Sequence, residues 1–521
     1  MIEIQGPSYR MFEYEQVLLN REVEQLTGAA AAGDGATIDG SQEWSSDRIA
    51  RAVKLLIERS TYLSAVRSEG QDWQPTAQAT IEGKHWQLRG GGQRRKQSTR
   101  FGVHGIHEYR GKFNPQMARA LINVVDPDAN SLLDPFCGSG TTLVEGLRLG
   151  MSVAGIDLSP IAHHIATVKT QALLHHDHEG LTKDLRALKS QAATAMKVAQ
   201  DEDYYAGRDP LSTEAARYLT DWFTSPALAA LRAGLSIIQN HSGNCTRLLA
   251  GVALSSILRD VSLQVPEDLR VRRRPTGFVA PSLAELFKTA CEKIEAGLEE
   301  LTETPRAAGS VKLLLGSSHH PGLIQNIKQG TDRRLIVTSP PYATALPYID
   351  TDRLSLIALG LVDPNELRPL EASLVGSREW NKAVQKRWAD AHSENAYGLP
   401  RSVTQLLQQL NERNKTVGAG FRRAAVPTLL YRYFAQMGEA FSAWSSGYLR
   451  PGERAVLVVG RNRTGPADDR ILIDTPRLLA DVAELHGFTV RELIPFETWP
   501  RYGLHSSNGV NGEDAVVLAR A

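Results

Sequence analysis

The chain has 521 residues, of which 42% are hydrophobic and 22% are charged. This composition is typical of a soluble globular protein, and the length predicts two or three domains rather than one core. A formal net charge of +1 gives no overall preference for nucleic acid or another polyanion. The first residues carry Glu3, Glu13 and Glu15, and no long apolar run follows, which argues against a signal peptide and a membrane span.

The cysteines and histidines give no metal-binding pattern. Cys137, Cys245 and Cys291 lie far apart, and no Cys-x-x-Cys pair occurs. This usage predicts a reducing compartment, the cytoplasm, and no structural zinc. The histidines that occur as adjacent pairs lack a third ligand at a recognisable spacing, so we expect no metal site.

The N-terminal part of the chain divides into two predicted regions. Residues 1–80 are predicted to be a helical region, because "YEQVLLNREVEQL" and "DRIARAVKLLIERSTYLSAV" have apolar residues at helical spacing. Residues 81–103 are predicted to be a basic, glycine-rich linker. A second basic run, "RVRRR", occupies 270–274. Each run is either a solvated surface segment or a contact for phosphate groups.

An α/β pattern follows and is twice interrupted by helical sequence. "NSLLDPFCGSG", "TTLVEGLRLG" and "SVAGIDLSP" read as strand, helix and strand, and residues 166–305 then read as helices throughout. Strands return in "SVKLLLGSS", "RRLIVTSPPY", "RAVLVVG", "FTVRELIPF" and "EDAVVLARA". One parallel-rich sheet, with helical insertions after its second and fourth strands, accounts for this order.

"DPFCGSGTT", residues 134–142, joins a strand to a helix through a glycine loop. It lacks the lysine of a phosphate-binding P-loop and the third glycine of a dinucleotide-binding fingerprint. The loop therefore fits a nucleoside ligand without phosphates, with Asp134 near an amino-acid end of that ligand. Asp157, at the end of the next strand, is placed to accept hydrogen bonds from ribose hydroxyls. A glycine turn that only caps a helix is the alternative.

"SPPY", residues 339–342, follows the fourth predicted strand. Two prolines cannot continue a strand or helix, so they hold Ser339 and Tyr342 rigidly at the strand end. The Ser339 hydroxyl and the Pro340 carbonyl are suited to bind an exocyclic amino group, and Tyr342 is suited to stack on its ring. A stiff turn without function is the alternative.

The two motifs together resemble those of the S-adenosylmethionine-dependent, amino-methylating DNA methyltransferases (the N4-cytosine/N6-adenine family) of the Ser-Pro-Pro-Tyr type. "HGIHEYRGKFNP", residues 104–115, also resembles the family segment that closes over the methionine moiety of the cofactor. The resemblance implies a Rossmann-like class I methyltransferase sheet with a large helical insertion. Residues 104–165 and 306–521 would form the catalytic domain, and 166–305 the target-recognition domain.

The resemblance also implies roles for individual residues. The base would be held by Ser339, Pro340, Pro341 and Tyr342. S-adenosyl-L-methionine would be bound by Phe113, Asp134, Pro135, Phe136, Gly138, Ser139, Gly140, Thr141, Thr142, Asp157 and Ser317. The family often has an acid after the third strand, where this chain has a serine, Ser317. The amino nitrogen would attack the methyl group directly, so Cys137 is expected to be a packing residue.

The implied function is site-specific methylation of cytosine N4 in DNA, with the target base flipped out of the duplex. Restriction–modification or phage defence would be the setting, and separate nuclease or defence-system subunits would be the partners. The Ser-Pro-Pro-Tyr form goes with cytosine N4 in this family, whereas an acid in the first position goes with adenine N6. Adenine-N6 methylation, guanine-N2 methylation of RNA and an inactive DNA-binding subunit are the alternatives.

Overall fold

The structure is a computed structural model. It describes residues 1–33, 35–91, 97–109, 111–199, 209–266, 271–302, 305–327, 332–343, 348–416, 418, 420–464, 470–496 and 509–521.

The N-terminal 125 residues form helices and a small antiparallel sheet. The elements are β1 (Ile2–Gln5), α1 (Glu13–Thr27), α2 (Ser46–Arg59), β2 (Ala65–Ser68), β3 (Gln74–Pro75), α3 (Ala77–Leu88) and α4 (Pro115–Val125). Strand β2 pairs with both β1 and β3. Helices α1 and α2 lie within the two segments whose apolar spacing predicts helices, although α2 ends at Arg59 and β2 occupies the end of the second segment. The strands of two to four residues are too short to show an alternating pattern.

The basic, glycine-rich segment starts later than predicted. Residues 81–88 belong to α3, so the predicted linker over 81–103 is wrong for that part. Thr76 caps this helix by accepting a hydrogen bond from Ala79, a start signal that the basic composition obscured. Residues 92–96 lie outside the described part of the chain.

The strand–helix–strand prediction is confirmed, and a helical block follows it. The first unit comprises β4 (Ser131–Asp134), α5 (Thr141–Arg148), β5 (Ser152–Asp157) and α6 (Pro160–Leu173). The block comprises α7 (His178–Val198), α8 (Thr213–Thr220), α9 (Ser225–Gln239), α10 (Asn244–Val261) and α11 (Leu283–Glu300). The next strand begins at Val311, so this helical block is an insertion within the sheet.

The rest of the chain completes the sheet. Strands and helices alternate as β6 (Val311–Leu315), α12 (Pro321–Gln325), β7 (Arg334–Thr338), α13 (Tyr348–Ala358), α14 (Leu367–Ser373), α15 (Lys382–Glu394), α16 (Arg401–Thr416), α17 (Phe421–Ala424) and α18 (Val426–Gly447). The C-terminal elements are β8 (Arg454–Thr464), β9 (Ile471–Ile473), α19 (Thr475–Leu485), β10 (Phe488–Phe496) and β11 (Gly509–Arg520). The second predicted helical insertion corresponds to α13–α18.

The central sheet has the order β10-β11-β8-β7-β4-β5-β6, and β9 extends it by pairing with β8. Neighbouring strands are parallel from β8 to β6, and β11 is antiparallel to both its neighbours. From β4 the chain proceeds first to β5 and β6 on one side, then to β7 and β8 on the other. The sheet is therefore Rossmann-like, as predicted, and its order reverses between β4 and β7.

The two faces of the sheet are covered by different parts of the chain. Leu132 and Leu133 are adjacent in β4 but belong to separate hydrophobic clusters, as the two-residue period of a strand requires. The cluster around Leu132 contains the N-terminal helices and the insertion α7–α11, whereas that around Leu133 contains α16 and α18. None of the described helices combines the length and apolar character needed to cross a membrane.

Candidate functional site

The two sequence motifs meet at the point where the strand order reverses. Leu133 of β4 and Ile336 of β7 are paired in register, and each motif begins at the carboxyl end of its strand. There the Thr338 hydroxyl donates a hydrogen bond to Asp134 Oδ1 at 2.7 Å, joining residues 204 positions apart. Ligands of open α/β sheets bind in the crevice at such a reversal of strand order. One motif lies on each side of this crevice.

Asp134 is buried at the centre of this edge. Its Oδ1 also accepts a hydrogen bond from the Phe136 amide at 3.1 Å. Burial raises the pKa of Asp134 to about 6, and the hydrogen bonds from the Thr338 hydroxyl and the Phe136 amide partly offset that rise. The carboxyl group thus connects the glycine loop to the strand that carries the second motif.

The glycine loop has a backbone that requires glycine. Gly138 and Gly140 have φ angles of 49° and 79°, in the left-handed region that other residues rarely adopt. A Cβ atom at Gly140 would lie 2.9 Å from the Cβ atom of Ala166 in α6. Helix α6 therefore packs directly against the loop.

Asp157, at the end of β5, holds the loop from the other side. Its carboxylate accepts hydrogen bonds from the amides of Gly138 and Ser159, each at 2.8 Å. Burial raises the pKa of Asp157 to about 6. The predicted ribose-binding carboxylate is thus placed at the crevice, and it also fixes the loop.

The residues around the loop fit a nucleoside with an amino-acid end. Thr141 Oγ1 is buried and makes no hydrogen bond within the described residues, so a buried hydroxyl is available to a ligand. Pro135 and Ser139 are buried, whereas Phe136 is partly exposed and packs edge-on against Trp444 with the ring centroids 6.2 Å apart. Small residues, an aromatic ring and an available hydroxyl are groups that suit S-adenosylmethionine at this loop.

The segment that precedes the motif lies against the glycine loop. A Cβ atom at Gly138 would lie 3.5 Å from the Tyr109 ring, so this ring covers the loop directly. Phe113, the residue named from the sequence, lines an open cavity of about 270 Å³ together with Tyr109 and Lys112. Tyr109 was missed although it lies in the same quoted segment, because spacing does not reveal which aromatic residue faces the loop.

Ser339 and Tyr342 stand at the carboxyl end of β7. Ser339 is partly exposed and makes no hydrogen bond within the described part of the chain, while Pro340 is buried and Pro341 is partly buried. The Tyr342 hydroxyl donates a hydrogen bond to Glu513 of β11. A Cβ atom at Gly460 would lie 3.6 Å from this ring. The ring therefore lies against the backbone of Gly460, with no side chain between them.

Glu513 was missed from the sequence. It is paired in register with Gly460, and only the tertiary pairing of β11 with β8 brings it beside Tyr342. The resulting ring position is determined by a hydrogen bond and by backbone contact. This arrangement restrains the ring in a single orientation, which a stacking surface requires.

Ser317 and Cys137 also lie at this edge. Ser317 follows β6, two strands from β4, and its hydroxyl lies 2.6 Å from His319 Nδ1. The predicted cofactor-binding hydroxyl is therefore already engaged within the protein. Cys137 is buried, and burial raises the pKa of its thiol, which favours the protonated form over a nucleophilic thiolate.

The second basic run is partly used to hold the insertion together. The Arg273 guanidinium donates to the Asp221 carbonyl at 2.6 Å and lies over the Trp222 ring. Arg274 donates to the Ser262 carbonyl at 3.1 Å. Arg272 is exposed. The charges of these arginines remain at the surface, while the hydrogen bonds of Arg273 and Arg274 hold their segment against the rest of the insertion.

Within the described residues, no group of three histidine, cysteine or acidic side chains is arranged to hold a metal ion.

Comparison with known proteins gives a family match for part of the chain. Residues 44–168 match the family described as DNA methylase. This range includes α2, β2 and α3, so the match starts upstream of the motif-bearing segment at 104–115. The chain is 37% identical to the type II methyltransferase M.MjaII of Methanocaldococcus jannaschii over 109 residues, 21% of this chain and 20% of that protein.

Two further relatives are similar to longer or shorter segments of this chain. Identity to the type II methyltransferase M.MvaI of Kocuria varians is 24% over 53% of this chain and 62% of that protein. A 51-residue segment is 39% identical to the tRNA (guanine(10)-N2)-dimethyltransferase of Methanothermobacter thermautotrophicus, covering 10% of this chain and 15% of that protein. The chain thus spans less than two thirds of the length of each of these relatives.

Proposed function

Because the chain belongs to the amino-methylating DNA methyltransferases, we propose that it methylates the exocyclic N4 of cytosine in DNA, with S-adenosyl-L-methionine as methyl donor. The observation that supports a methyl-transfer site is the hydrogen bond between Thr338 and Asp134, and the choice of cytosine rests on Ser339 alone. It fixes the glycine loop and Ser339–Tyr342 at one crevice, where donor and acceptor of a methyl group could lie side by side.

The role that we assign to the protein is to position the methyl donor and the base for the reaction. Bound S-adenosylmethionine supplies a methyl group that its sulfonium centre activates for displacement. Ser339 Oγ and the Pro340 carbonyl accept hydrogen bonds from the amino group of the base and direct the nitrogen lone pair. Tyr342, held by Glu513, stacks on the ring. Such alignment lowers the barrier by removing the entropy cost of bringing two reactants together.

DNA contacts are assigned to the basic and inserted regions. Removing a base from the duplex costs a few kcal/mol, which phosphate contacts must offset. Arg272 and the basic segment within 81–103 are the candidates for these contacts, and residues 166–305 are the candidate target-recognition domain. We place the reaction in the cytoplasm, in restriction–modification or phage defence with separate nuclease or defence-system subunits.

Two other substrates are weighed against cytosine. Adenine N6 presents the same chemistry, and only the serine at position 339, in place of an acid, favours cytosine. Guanine N2 of RNA is the second candidate, which the 51-residue similarity to a tRNA methyltransferase favours. An inactive DNA-binding subunit is disfavoured because the available Thr141 and Ser339 hydroxyls would have no use in it.

A transfer assay tests the proposal. The protein is incubated with S-adenosylmethionine carrying a labelled methyl group and, in parallel, with duplex DNA, single-stranded DNA or tRNA. We expect label in DNA. Label in tRNA alone, or no transfer by protein that binds the cofactor, would overturn the proposal.

Tyr342→Ala separates base binding from cofactor binding. The variant should lose stacking worth about 1–3 kcal/mol, measured as a lower kcat/KM for DNA, because the ring is the surface assigned to the base. Its affinity for S-adenosylhomocysteine should equal that of the unchanged protein. An equal loss of both would show that Tyr342 belongs to the cofactor pocket.

A further inference from the structure

Lys169 is a buried lysine behind the glycine loop. It lies in α6, three residues after Ala166, the residue that contacts Gly140. Its side chain is fully buried, and Nζ donates a hydrogen bond to Ser139 Oγ at 3.2 Å. Among the described residues no carboxylate forms an ion pair with it. An ammonium group can donate three hydrogen bonds, so the loop hydroxyl satisfies one of them.

Lys169 lies close to other basic side chains. Lys112 donates to the carbonyls of Thr99 and His104 at 2.6 and 2.9 Å, which satisfies dipoles but supplies no negative charge. His107 is buried, and burial lowers its pKa to about 3, so it is neutral. His164 is likewise neutral, because burial lowers its pKa to about 4.

The acid whose charge partly offsets the lowered pKa of Lys169 lies at the surface. Glu108 is exposed and already forms an ion pair with Arg100 at 2.6 Å. Burial and Lys112 both lower the pKa of Lys169, and Glu108 offsets only part of this effect. Burying a charge without a counter-charge is costly, so an anionic group of a ligand placed beside Lys169 Nζ would be favoured.

The glycine loop also lies close to two acids. Asp134 ends β4 and Asp157 ends β5, whereas Lys169 lies in α6 and reaches the loop through Ser139. The residues around the loop thus include carboxylates suited to a cationic group and an ammonium group suited to an anionic one. A zwitterionic amino acid has both.

We propose that the Lys169 ammonium, together with the Ser139 hydroxyl, binds the carboxylate at the amino-acid end of S-adenosylmethionine. The inference rests on the proposed function, since it assigns a residue to the donor of that reaction. It makes Lys169 a determinant of specificity for nucleosides that carry an amino acid over those that do not.

Binding by calorimetry to two nucleosides tests the assignment. S-adenosylhomocysteine carries the carboxylate, and 5′-methylthioadenosine lacks the whole amino-acid end. Lys169→Met removes the charge and keeps an unbranched apolar side chain. We expect a loss of about 10- to 100-fold in affinity for S-adenosylhomocysteine and no change for methylthioadenosine. Lys183→Met, at an exposed position on α7, is the matched control and should change neither.

A second variant and a stability measurement keep the test decisive. Lys169→Gln retains a donor for Ser139 without the charge, and it should lose the same preference. The melting temperature of ligand-free Lys169→Met should not fall, because a buried unpaired charge has been removed. Equal weakening of both ligands, or unchanged affinity for S-adenosylhomocysteine, would overturn the inference and leave the proposed function standing. Failure of the unchanged protein to bind S-adenosylhomocysteine would overturn both.

Discussion

Asp134 is a residue of the candidate site that lowers the free energy of unfolding at neutral pH. Its pKa of about 6 lies above the ordinary value of 3.8 because the carboxyl group is buried. The folded state therefore holds its proton more tightly than the unfolded state. Stability is greatest where the group is protonated, below about pH 4, and it decreases as the pH rises to about 6.

Asp134→Asn should stabilise the protein at neutral pH. The amide oxygen can still accept from Thr338 and Phe136, and the charge is gone. The difference between 3.8 and about 6 corresponds to on the order of 2–3 kcal/mol above about pH 7. Urea unfolding at several pH values measures it, and the gain should disappear near pH 4. A variant less stable than the unchanged protein at every pH would contradict this account.

Tyr342→Phe should weaken base positioning through the loss of one hydrogen bond to Glu513. We expect kcat/KM for DNA to fall about tenfold, with affinity for S-adenosylhomocysteine unchanged. Tyr448→Phe is the control, because it also removes a tyrosine hydroxyl that has a hydrogen-bond partner. That hydroxyl lies 3.1 Å from Ser131 Oγ at the amino end of β4, away from the crevice. If both variants lose the same activity, the ring orientation at Tyr342 has no special role.

Single residues of the site differ in how well the sequence reveals them. Gly138, Gly140 and Asp157 were predictable because local chain geometry demands glycine and a strand end presents the acid. Glu513 and Lys169 were not, since each reaches the site from an element whose position depends on the tertiary fold. Periodicity and motif spacing describe one segment at a time and carry no information on such contacts.

At the scale of elements, the helical insertion is joined by a buried acid to the loop that precedes Tyr109. Glu300, the last residue of α11, accepts hydrogen bonds from the Gly102 amide at 2.5 Å and from His85 at 2.8 Å. A Cβ atom at Gly297 would lie 2.6 Å from the Gly102 carbonyl oxygen, so helix and loop are in direct contact. The chain continues from Gly102 to Tyr109, whose ring covers the glycine loop.

Glu300→Ala should destabilise the protein by about 3 kcal/mol, because it leaves buried partners without an acceptor. It should also weaken S-adenosylhomocysteine binding, since the segment from Gly102 to Tyr109 loses its support. Glu299→Ala, an exposed neighbour in the same helix, is the control. Thermal unfolding and calorimetry measure both effects, and unchanged ligand affinity in a destabilised Glu300→Ala protein would show that the connection is purely structural.

The order of strands was only partly predictable. Apolar runs marked the main strands, and the excess length between motifs indicated an insertion. The pairing of β7 with β4 rather than with β6 is set by how helices cover both faces, which no single strand encodes. The small sheet of β1–β3 escaped prediction because its strands are too short to show a period.

At the scale of the whole molecule, the N-terminal region shares the core of the sheet. Glu22 of α1 is fully buried and accepts hydrogen bonds from Thr61 and from Asn123 of α4. Tyr14 contacts Phe496 at the end of β10, with ring centroids 5.4 Å apart. Every residue of α4 is buried, so removing α1 would expose an apolar helix face.

A chain that begins at residue 44, where the family match starts, should therefore not fold. We expect no cooperative thermal transition and no binding of S-adenosylhomocysteine, because the α4 face and the Glu22 partners are left uncovered. The full chain is the reference for both measurements. A truncated chain that melts cooperatively and binds the ligand would show that residues 1–43 are an appendage.

We propose that the crevice between β4 and β7 is where cytosine N4 is methylated. The most direct measurement is the mass and retention of the modified nucleoside after DNA has been treated with the protein and S-adenosylmethionine and digested completely. We expect N4-methylcytosine, and a Tyr342→Ala preparation should yield far less of it. N6-methyladenine as the product, or modification confined to RNA, would overturn the assignment of cytosine N4.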